Sequence, residues 1–242
     1  MATLEATFTA KRTPLYHLHH ATQPDSTGWQ HLNGYAINSG HNETDDVTPV
    51  QLVNCGLSDL SALARVGLRG KQAAAILSDD HYQLPAAPNQ ALRQENGSWV
   101  ARLSASEYLL LGSFADDGER ICRDELAWQA KSEGSCGGVY LLPRQDTHAW
   151  LALTGDRVSD VMAKLCGVDL SAKAFAPGQV AQTSVARANA IIINASHADR
   201  ACYYLLVDSA SACYFWPMLV DAMHEFRGKE LNITALRHYR QT

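Results

Sequence analysis

An internal repeat constrains the fold of this chain more than any other feature of its sequence. Residues 65–77 can be laid on residues 150–162 with an offset of 85 positions, so that Gly70 meets Gly155. Both segments read as an alternating strand, a glycine turn and a short helix that starts at once. The sequence therefore predicts two copies of one folding unit.

The helix of the second copy carries one apolar stripe. The residues of this stripe follow the spacing i, i+3, i+4 and i+7 and are Val158, Val161, Met162 and Leu165. Asp156 directly follows the glycine turn, where a carboxylate can accept the free N–H groups of a helix start. The pattern predicts a helix after Gly155, with Asp156 as its cap.

Each copy continues with a strand and then a helix. The strands are predicted at Val100–Gly112 in the first half and at Tyr203–Val207 in the second. The first helix is expected to open at Asp116-Asp117 and to run towards Ala130, with Cys122 and Leu126 on one side.

The last helix is predicted from the near-helical spacing of Phe215, Leu219, Met223 and Phe226. Its regular part should begin close to Pro217, because proline has no N–H group to give to a helix interior.

Strand, helix and strand followed by strand and helix, twice over, is the split βαβ pattern. The predicted class is α+β, with two ferredoxin-like repeats packed together. The predicted segments are an N-terminal arm at 1–54, a first repeat at 55–133 and a second repeat with a C-terminal tail at 134–242. Within the arm, the polar stretch Gln23–Val47 is interpreted as irregular.

The composition limits the classes of protein to which this chain can belong. Hydrophobic residues make up 46% of the chain, and 20 basic residues against 25 acidic ones give a net charge of −5. This balance favours a globular protein and disfavours nucleic acid as a partner. No run has the length of a signal peptide or a membrane span, and the six cysteines form no Cys-x-x-Cys pair. We expect buried, reduced thiols, no membrane contact and a cytoplasmic location.

No motif predicts an active site. The run His17-Leu-His19-His20 lacks cysteine or acidic partners at a defined spacing, so a partly exposed arm is preferred to a metal cluster. The carboxylate pairs Asp45-Asp46, Asp79-Asp80 and Asp116-Asp117 suit capping and solvation better than acid–base chemistry. Gly70-Lys71 lacks the first glycine of a phosphate loop. The chain is therefore expected to hold no catalytic, cofactor-binding or metal-binding residues.

Several segments nevertheless resemble one superfamily. Thr13-Pro-Leu-Tyr16 with His19 resembles the opening of the glycine cleavage system T-protein, a folate-binding aminomethyltransferase. Gly56-Leu-Ser-Asp-Leu-Ser61, running into Arg65 to Gly70, resembles the Gly-Leu-Phe-Asp-Val-Ser segment of that family and the strand after it. The stretch from Trp150-Leu-Ala-Leu-Thr-Gly155 to Pro177-Gly-Gln-Val-Ala-Gln-Thr183 is more similar to the γ subunit of heterotetrameric sarcosine oxidase. The order of these segments carries the resemblance from Thr13 to Phe226.

The chain departs from the T-protein at the segments that carry its chemistry. The T-protein has a Gly-Gly-x-x-Asp-Asp segment with the catalytic aspartate, whereas the corresponding Ala91–Val100 has no aspartate. The T-protein also has an Arg-Thr-Gly-Tyr-Thr-Gly-Glu segment that helps to hold folate, and Ala190–Ala201 has neither its glycines nor its glutamate. A C-terminal barrel domain is expected to be missing as well.

The resemblance implies a non-catalytic γ-type subunit of a complex that oxidatively demethylates an N-methylated amino acid, such as sarcosine oxidase or N-methylglutamate dehydrogenase. No cofactor is expected in this chain, and FAD, FMN, NAD and tetrahydrofolate would belong to partner subunits. Those partners would be large flavoprotein and folate-domain subunits and a small zinc-binding subunit. The alternative is a stand-alone folate-dependent aminomethyltransferase or demethylase. A folate-binding regulator of iron–sulfur enzymes is disfavoured, because its Lys-Gly-Cys-x-x-Gly-Gln signature is absent.

Overall fold

The computed structural model describes residues 9–22, 29–38, 54–132, 138–198 and 200–241. The strands of these residues are β1 (Lys11–Arg12), β2 (Trp29–Leu32), β3 (Tyr35–Asn38), β4 (Gly56–Asp59), β5 (Arg65–Gly70), β6 (Gln90–Arg93), β7 (Trp99–Ser104), β8 (Glu107–Leu111), β9 (Val139–Leu142), β10 (His148–Thr154), β11 (Val180–Val185), β12 (Ala188–Asn194), β13 (Cys202–Asp208) and β14 (Lys229–Leu231). The α-helices are α1 (Tyr16–Thr22), α2 (Ala73–Asp79), α3 (Glu119–Ser132), α4 (Arg144–Thr147), α5 (Val158–Leu165), α6 (Ala212–His224) and α7 (Ile233–Gln241). The α+β class predicted from the sequence is confirmed.

The described residues fall into two compact units that are interleaved along the chain. The first unit draws on Met1–Ala62, His148–Pro177 and Thr183–Thr242, and the second on Leu63–Thr147 and Gly178–Gln182. These units cut the chain differently from the predicted segments 1–54, 55–133 and 134–242. The physical reason is strand pairing, because β4 pairs with β10 across a long stretch of sequence.

A six-stranded sheet forms the body of the first unit. Its strand order is β11-β12-β13-β10-β4-β14, with β10 antiparallel to both β13 and β4 and with β14 parallel to β4. Every residue of β10 except His148, and every residue of β13 except Asp208, is buried. Burial on both faces explains why β13 is apolar at nearly every position. The predicted strand Tyr203–Val207 is confirmed within β13.

The first unit also holds a three-stranded sheet in the order β1-β3-β2. β2 and β3 form a hairpin, whose turn residues Asn33 and Gly34 have φ angles of 51° and 78°. Two positive φ angles suit the two-residue hairpin turns that match strand twist, and Asn-Gly is their preferred sequence. The interpretation of Gln23–Val47 as irregular is therefore wrong for residues 29–38, and its other residues lie outside the described ranges.

An antiparallel five-stranded sheet in the order β6-β7-β8-β5-β9 forms the second unit. The core packs α2 and α3 against this sheet and contains Ala73, Leu77, Ile121 and Trp128 from the helices, together with Val66, Leu68, Val100, Tyr108 and Leu110 from the strands. The predicted single strand Val100–Gly112 is two strands, β7 and β8, joined at Ala105-Ser106. The small residues at this position were the sequence signal for a turn, but the apolar residues on both sides obscured it.

The repeat is confirmed at the level of local structure. β5 ends at Gly70 and α2 begins at Ala73, while β10 ends just before Gly155 and α5 begins at Val158. The two helix starts are thus separated by the same 85 positions as the glycines. Gly70 and Gly155 have φ angles of +149° and +105°, which other residues rarely adopt. The finer prediction of ferredoxin-like repeats stays a prediction.

Three local predictions need correction. The cap of α5 is Arg157, without a capping side-chain bond, so Asp156 lies one residue before the cap. α6 begins at Ala212 and includes Pro217, because a 3₁₀ turn at Ser209–Ser211, capped by Asp208, starts the helix early. In α3, Leu126 is 66% exposed and does not join the core.

The described cysteines form no disulfide. Cys55, Cys166 and Cys202 are buried as expected, whereas Cys122 is half-buried and Cys213 is exposed. Burial raises the pKa of the Cys55 thiol to about 12, so that this thiol stays protonated and inert. No helix of the described residues is long and apolar enough to cross a membrane.

Candidate functional site

A buried carboxylate joins three parts of the first unit. Asp59, the last residue of β4, accepts a hydrogen bond from Thr13 Oγ1 at 2.9 Å and one from the backbone N–H of Ser61 at 2.8 Å. His19, on α1, places its Nε2 atom 3.5 Å from Asp59 Oδ2. Asp59 therefore ties α1 and the segment before it to the six-stranded sheet.

This environment keeps Asp59 ionised. Burial alone would raise the pKa of Asp59, but the hydrogen bond and the charge of His19, with the hydrogen bonds of Ser61, outweigh burial and hold that pKa below its ordinary value. A negative charge is thus held inside the first unit at neutral pH.

Asp59 and His19 border a cavity of about 240 Å³. Aromatic side chains from three elements line it: Tyr16 from α1, Trp29 from β2 and Trp216 from α6. The rings of Tyr16 and Trp29 lie 5.0 Å apart, and the ring of His19 meets that of Trp216 edge-on at 5.0 Å. The remaining lining residues are Thr13, Ala36, Ile37, Asn38, Glu230, Leu231, Asn232 and Ile233.

The histidine run lies on α1 and does not act as one group. His19 faces Asp59, whereas the exposed His17 and His20 pack on the ring of Tyr16, at 5.7 and 5.5 Å between ring centroids. Among the residues that the structure describes, no group of three or more His, Cys, Asp or Glu side chains could hold a metal ion.

The carboxylate pairs have separate structural roles where they are described. Asp116 accepts hydrogen bonds from the backbone N–H groups of Gly118 and Arg120 at 3.0 and 3.3 Å, and so caps the start of α3 as expected. Asp80, just after α2, accepts a 2.6 Å hydrogen bond from Trp128 Nε1. Asp45-Asp46 lies outside the described residues.

In each of the two segments that depart from the T-protein, one buried amide side chain is hydrogen-bonded to backbone atoms. In the first, the buried Gln94 accepts a hydrogen bond from Gln83 N and donates one to Gln83 O, at 2.9 and 3.0 Å. In the second, the buried Asn194 donates to Phe175 O at 2.6 Å and accepts from Ser196 N at 3.1 Å. The prediction that the chain holds no catalytic, cofactor-binding or metal-binding residues stays a prediction.

Sequence reasoning missed the cavity because its lining comes from distant segments. Asn33-Gly34 could have revealed the hairpin that supplies Trp29, Ala36, Ile37 and Asn38. Nothing local marks Trp216 or residues 230–233 as neighbours of Asp59.

The fold, together with a match to a known family, identifies the class of this protein. The GCVT N-terminal domain family matches residues 87–241, which is more than half of the chain, so the chain belongs to that family. A search of curated proteins found no match.

Two solved structures are similar to this one. One is the glycine cleavage system aminomethyltransferase T from Bartonella henselae, with 16% identity and a TM-score of 0.63 over 91% of this chain. The chain spans 59% of that aminomethyltransferase. The other is a chain of the heterotetrameric sarcosine oxidase from Corynebacterium sp. U-96, with 20% identity and a TM-score of 0.60. This match covers 90% of our chain and 97% of that one.

Proposed function

We propose that the chain is a non-catalytic subunit of a multi-subunit flavoprotein that oxidatively demethylates an N-methylated amino acid, of the sarcosine oxidase or N-methylglutamate dehydrogenase type. The observation that carries this proposal is the similarity in fold to a chain of a heterotetrameric sarcosine oxidase, with a TM-score of 0.60 over 90% of this chain and 97% of that one.

The polar groups of the two diverged segments support the proposal. Gln94 and Asn194 are buried and bonded to backbone atoms, which suits structural roles better than contact with a substrate. In this proposal flavin, NAD and tetrahydrofolate belong to larger partner chains, and a small zinc-binding subunit completes the complex.

A subunit of a permanent complex must cover surface against its partners, generally well above about 1,000 Å². Aromatic side chains cluster late in the sequence (Tyr203, Tyr204, Tyr214, Phe215 and Trp216) and are candidates for such a surface. Only Tyr214 of this cluster is exposed, at 48%, whereas Tyr203, Tyr204, Phe215 and Trp216 are buried in the core of the first unit. In the second unit, Tyr140 and Leu126 are the most exposed large apolar side chains among the described residues, at 69% and 66%.

Co-purification from the native host tests the proposal. The tagged chain should bring down a large flavin-containing chain, which mass spectrometry and the flavin absorbance spectrum identify. Tyr140→Asp or Tyr214→Asp should weaken this association, because a charge at a buried interface must be desolvated without a partner. Ala172→Asp, at an exposed position with a small side chain, is the matched control. A colourless, stable monomer that brings down no such chain would refute the subunit assignment.

The alternative is a stand-alone folate-dependent aminomethyltransferase or demethylase, and membership of the GCVT N-terminal domain family supports it. Calorimetry with tetrahydrofolate separates the two. A subunit without the folate-holding segment should bind tetrahydrofolate no better than about 1 mM, near the weak end of the affinity scale. Micromolar binding with one-carbon transfer by the chain alone would favour the alternative.

A further inference from the structure

The cavity beside Asp59 combines aromatic walls with negative charge. Three aromatic side chains, Tyr16, Trp29 and Trp216, line it together with the carboxylates Asp59 and Glu230. Among its described lining residues there is no lysine or arginine. The faces of aromatic rings attract cations, and carboxylates add to this attraction.

The charges of the lining residues determine whether a bound ligand should carry a positive or a negative charge. Asp59 is buried and ionised, and Glu230 is an exposed residue of the edge strand β14. Opposing them are His19 and the start of α7, whose positive end is equivalent to roughly half a charge. Asn232 caps this helix by accepting the N–H of Ala235 at 2.7 Å, which uses one of its free donors. Arg12 adds a positive charge beside the cavity, because its guanidinium lies 4.5 Å from the centroid of the Tyr16 ring, but it is not a lining residue. With His19 neutral, the two carboxylates of the lining outweigh the partial charge of α7.

The chemistry of the lining disfavours anionic ligands, and the volume of the cavity disfavours drug-sized ones. A phosphate or carboxylate ligand would meet Asp59 without a lysine or arginine to hold it. At about 240 Å³ the cavity is smaller than the roughly 300–1,000 Å³ pockets that bind drug-sized molecules.

We propose that this cavity binds a small organic ammonium ion, with its alkyl groups against Trp29 and Trp216 and its charge compensated by Asp59 and Glu230. Aromatic rings recognise such cations through their electron-rich faces, and tryptophan does so best. The inference does not rest on the proposed function, because it concerns the side chains of this chain alone.

Titration of the purified full chain with tetramethylammonium chloride tests the inference, with sodium chloride added to hold the ionic strength constant. Quenching of tryptophan fluorescence and calorimetry report the binding. Saturable uptake is expected below about 10 mM, a weak but measurable affinity. The neutral tert-butanol, of similar size, and the anion acetate should bind at least tenfold more weakly.

Two variants connect binding to the cavity. Glu230→Gln removes an exposed charge without touching the core, and should weaken tetramethylammonium binding about two- to fivefold, the effect of a surface ion pair. Trp29→Leu should weaken it about tenfold or more, with folding checked by circular dichroism. Glu95→Gln, exposed in the second unit, is the matched control and should change nothing.

The absence of saturable binding would overturn the proposal, and so would equal binding of tert-butanol. Tetramethylammonium binding that Glu230→Gln leaves unchanged would equally place the ion outside this cavity. Since none of these measurements involves a flavoprotein partner, their failure is separate from a failure of the co-purification experiment.

Discussion

Replacing Asp59 tests whether its carboxylate holds the first unit together. Asp59→Ala removes the acceptor of Thr13 Oγ1 and of the Ser61 N–H, and also the neighbour of His19. A hydrogen bond to a charged group contributes about 1.5–3 kcal/mol, and breaking a buried ionic network costs about 3–5 kcal/mol. We therefore expect Asp59→Ala to lower the free energy of unfolding by about 3–5 kcal/mol.

Asp59→Asn should cost less. Its amide oxygen can still accept the Ser61 N–H, but bonds to a neutral acceptor are about half as strong as those to a carboxylate. We expect a loss of about 1–2 kcal/mol. Asp160→Asn is the matched control, because Asp160 pairs with Arg157 at the surface, with both side chains about half-exposed. An exposed pair contributes less than about 1 kcal/mol.

Urea denaturation of the three variants and the parent chain, followed over a range of pH, measures these differences. The lowered pKa of Asp59 means that its contribution to stability is complete above the unfolded-state pKa of about 3.9 and is lost as the pH falls through the folded-state value. The gap between the parent chain and Asp59→Asn should therefore close as the pH falls through the folded-state pKa of Asp59. A gap equal to that of Asp160→Asn, or one that widens in acid, would refute this account.

Three further predictions concern packing and reactivity. Gly70→Ala should destabilise the fold by about 2 kcal/mol or more in thermal unfolding, because the φ of Gly70 is +149° and a Cβ would overlap a backbone carbonyl. The control Gly167→Ala, at a position with open space around it, should leave the stability nearly unchanged. The exposed Cys213 should react with a thiol reagent at mild pH far faster than Cys55, whose buried thiol has a pKa raised to about 12. Equal labelling of the two cysteines in mass spectrometry would contradict the burial of Cys55. Tyr82→Phe should cost about 1–2 kcal/mol in urea unfolding, because the tyrosine hydroxyl donates a 2.7 Å hydrogen bond to a carboxylate of α3; an unchanged midpoint would show that water replaces that bond.

The sequence predicted what is local. Gly70 and Gly155 could be placed in equivalent turns, because a positive φ and the helix that follows depend on a few neighbouring residues. β13 could be placed because a buried central strand is apolar along its whole length. The early start of α6 was missed because Pro217 was given more weight than the capping residue Asp208.

What could not be predicted depends on pairing between distant residues. The polar segment Gly56–Asp59 gives no sign that it lies between β10 and β14. The cavity inherits this difficulty, because Asp59 becomes part of a site only once the hairpin, α6 and α7 surround it. A sequence shows which residue types are present, but it does not show which distant residues come together in the fold.

The pairing of β4 with β10 has a consequence for how the chain is made. Leu57 lies opposite Leu153, although 96 residues separate them in the sequence. Synthesis at about 5–20 residues per second leaves β4 without β10 for about 5–20 s. During that interval nearly all of the second unit emerges, so it can form before the sheet of the first unit is complete.

A strand that waits this long must not associate with other chains. β4 reads Gly-Leu-Ser-Asp, with one large apolar side chain and a carboxylate at its end. Charge and low apolar content are features that keep unpaired strands from aggregating. The low apolar content of β4 made its place in the sheet hard to predict. The same composition suits a strand that stays unpaired while the chain is synthesised on the ribosome.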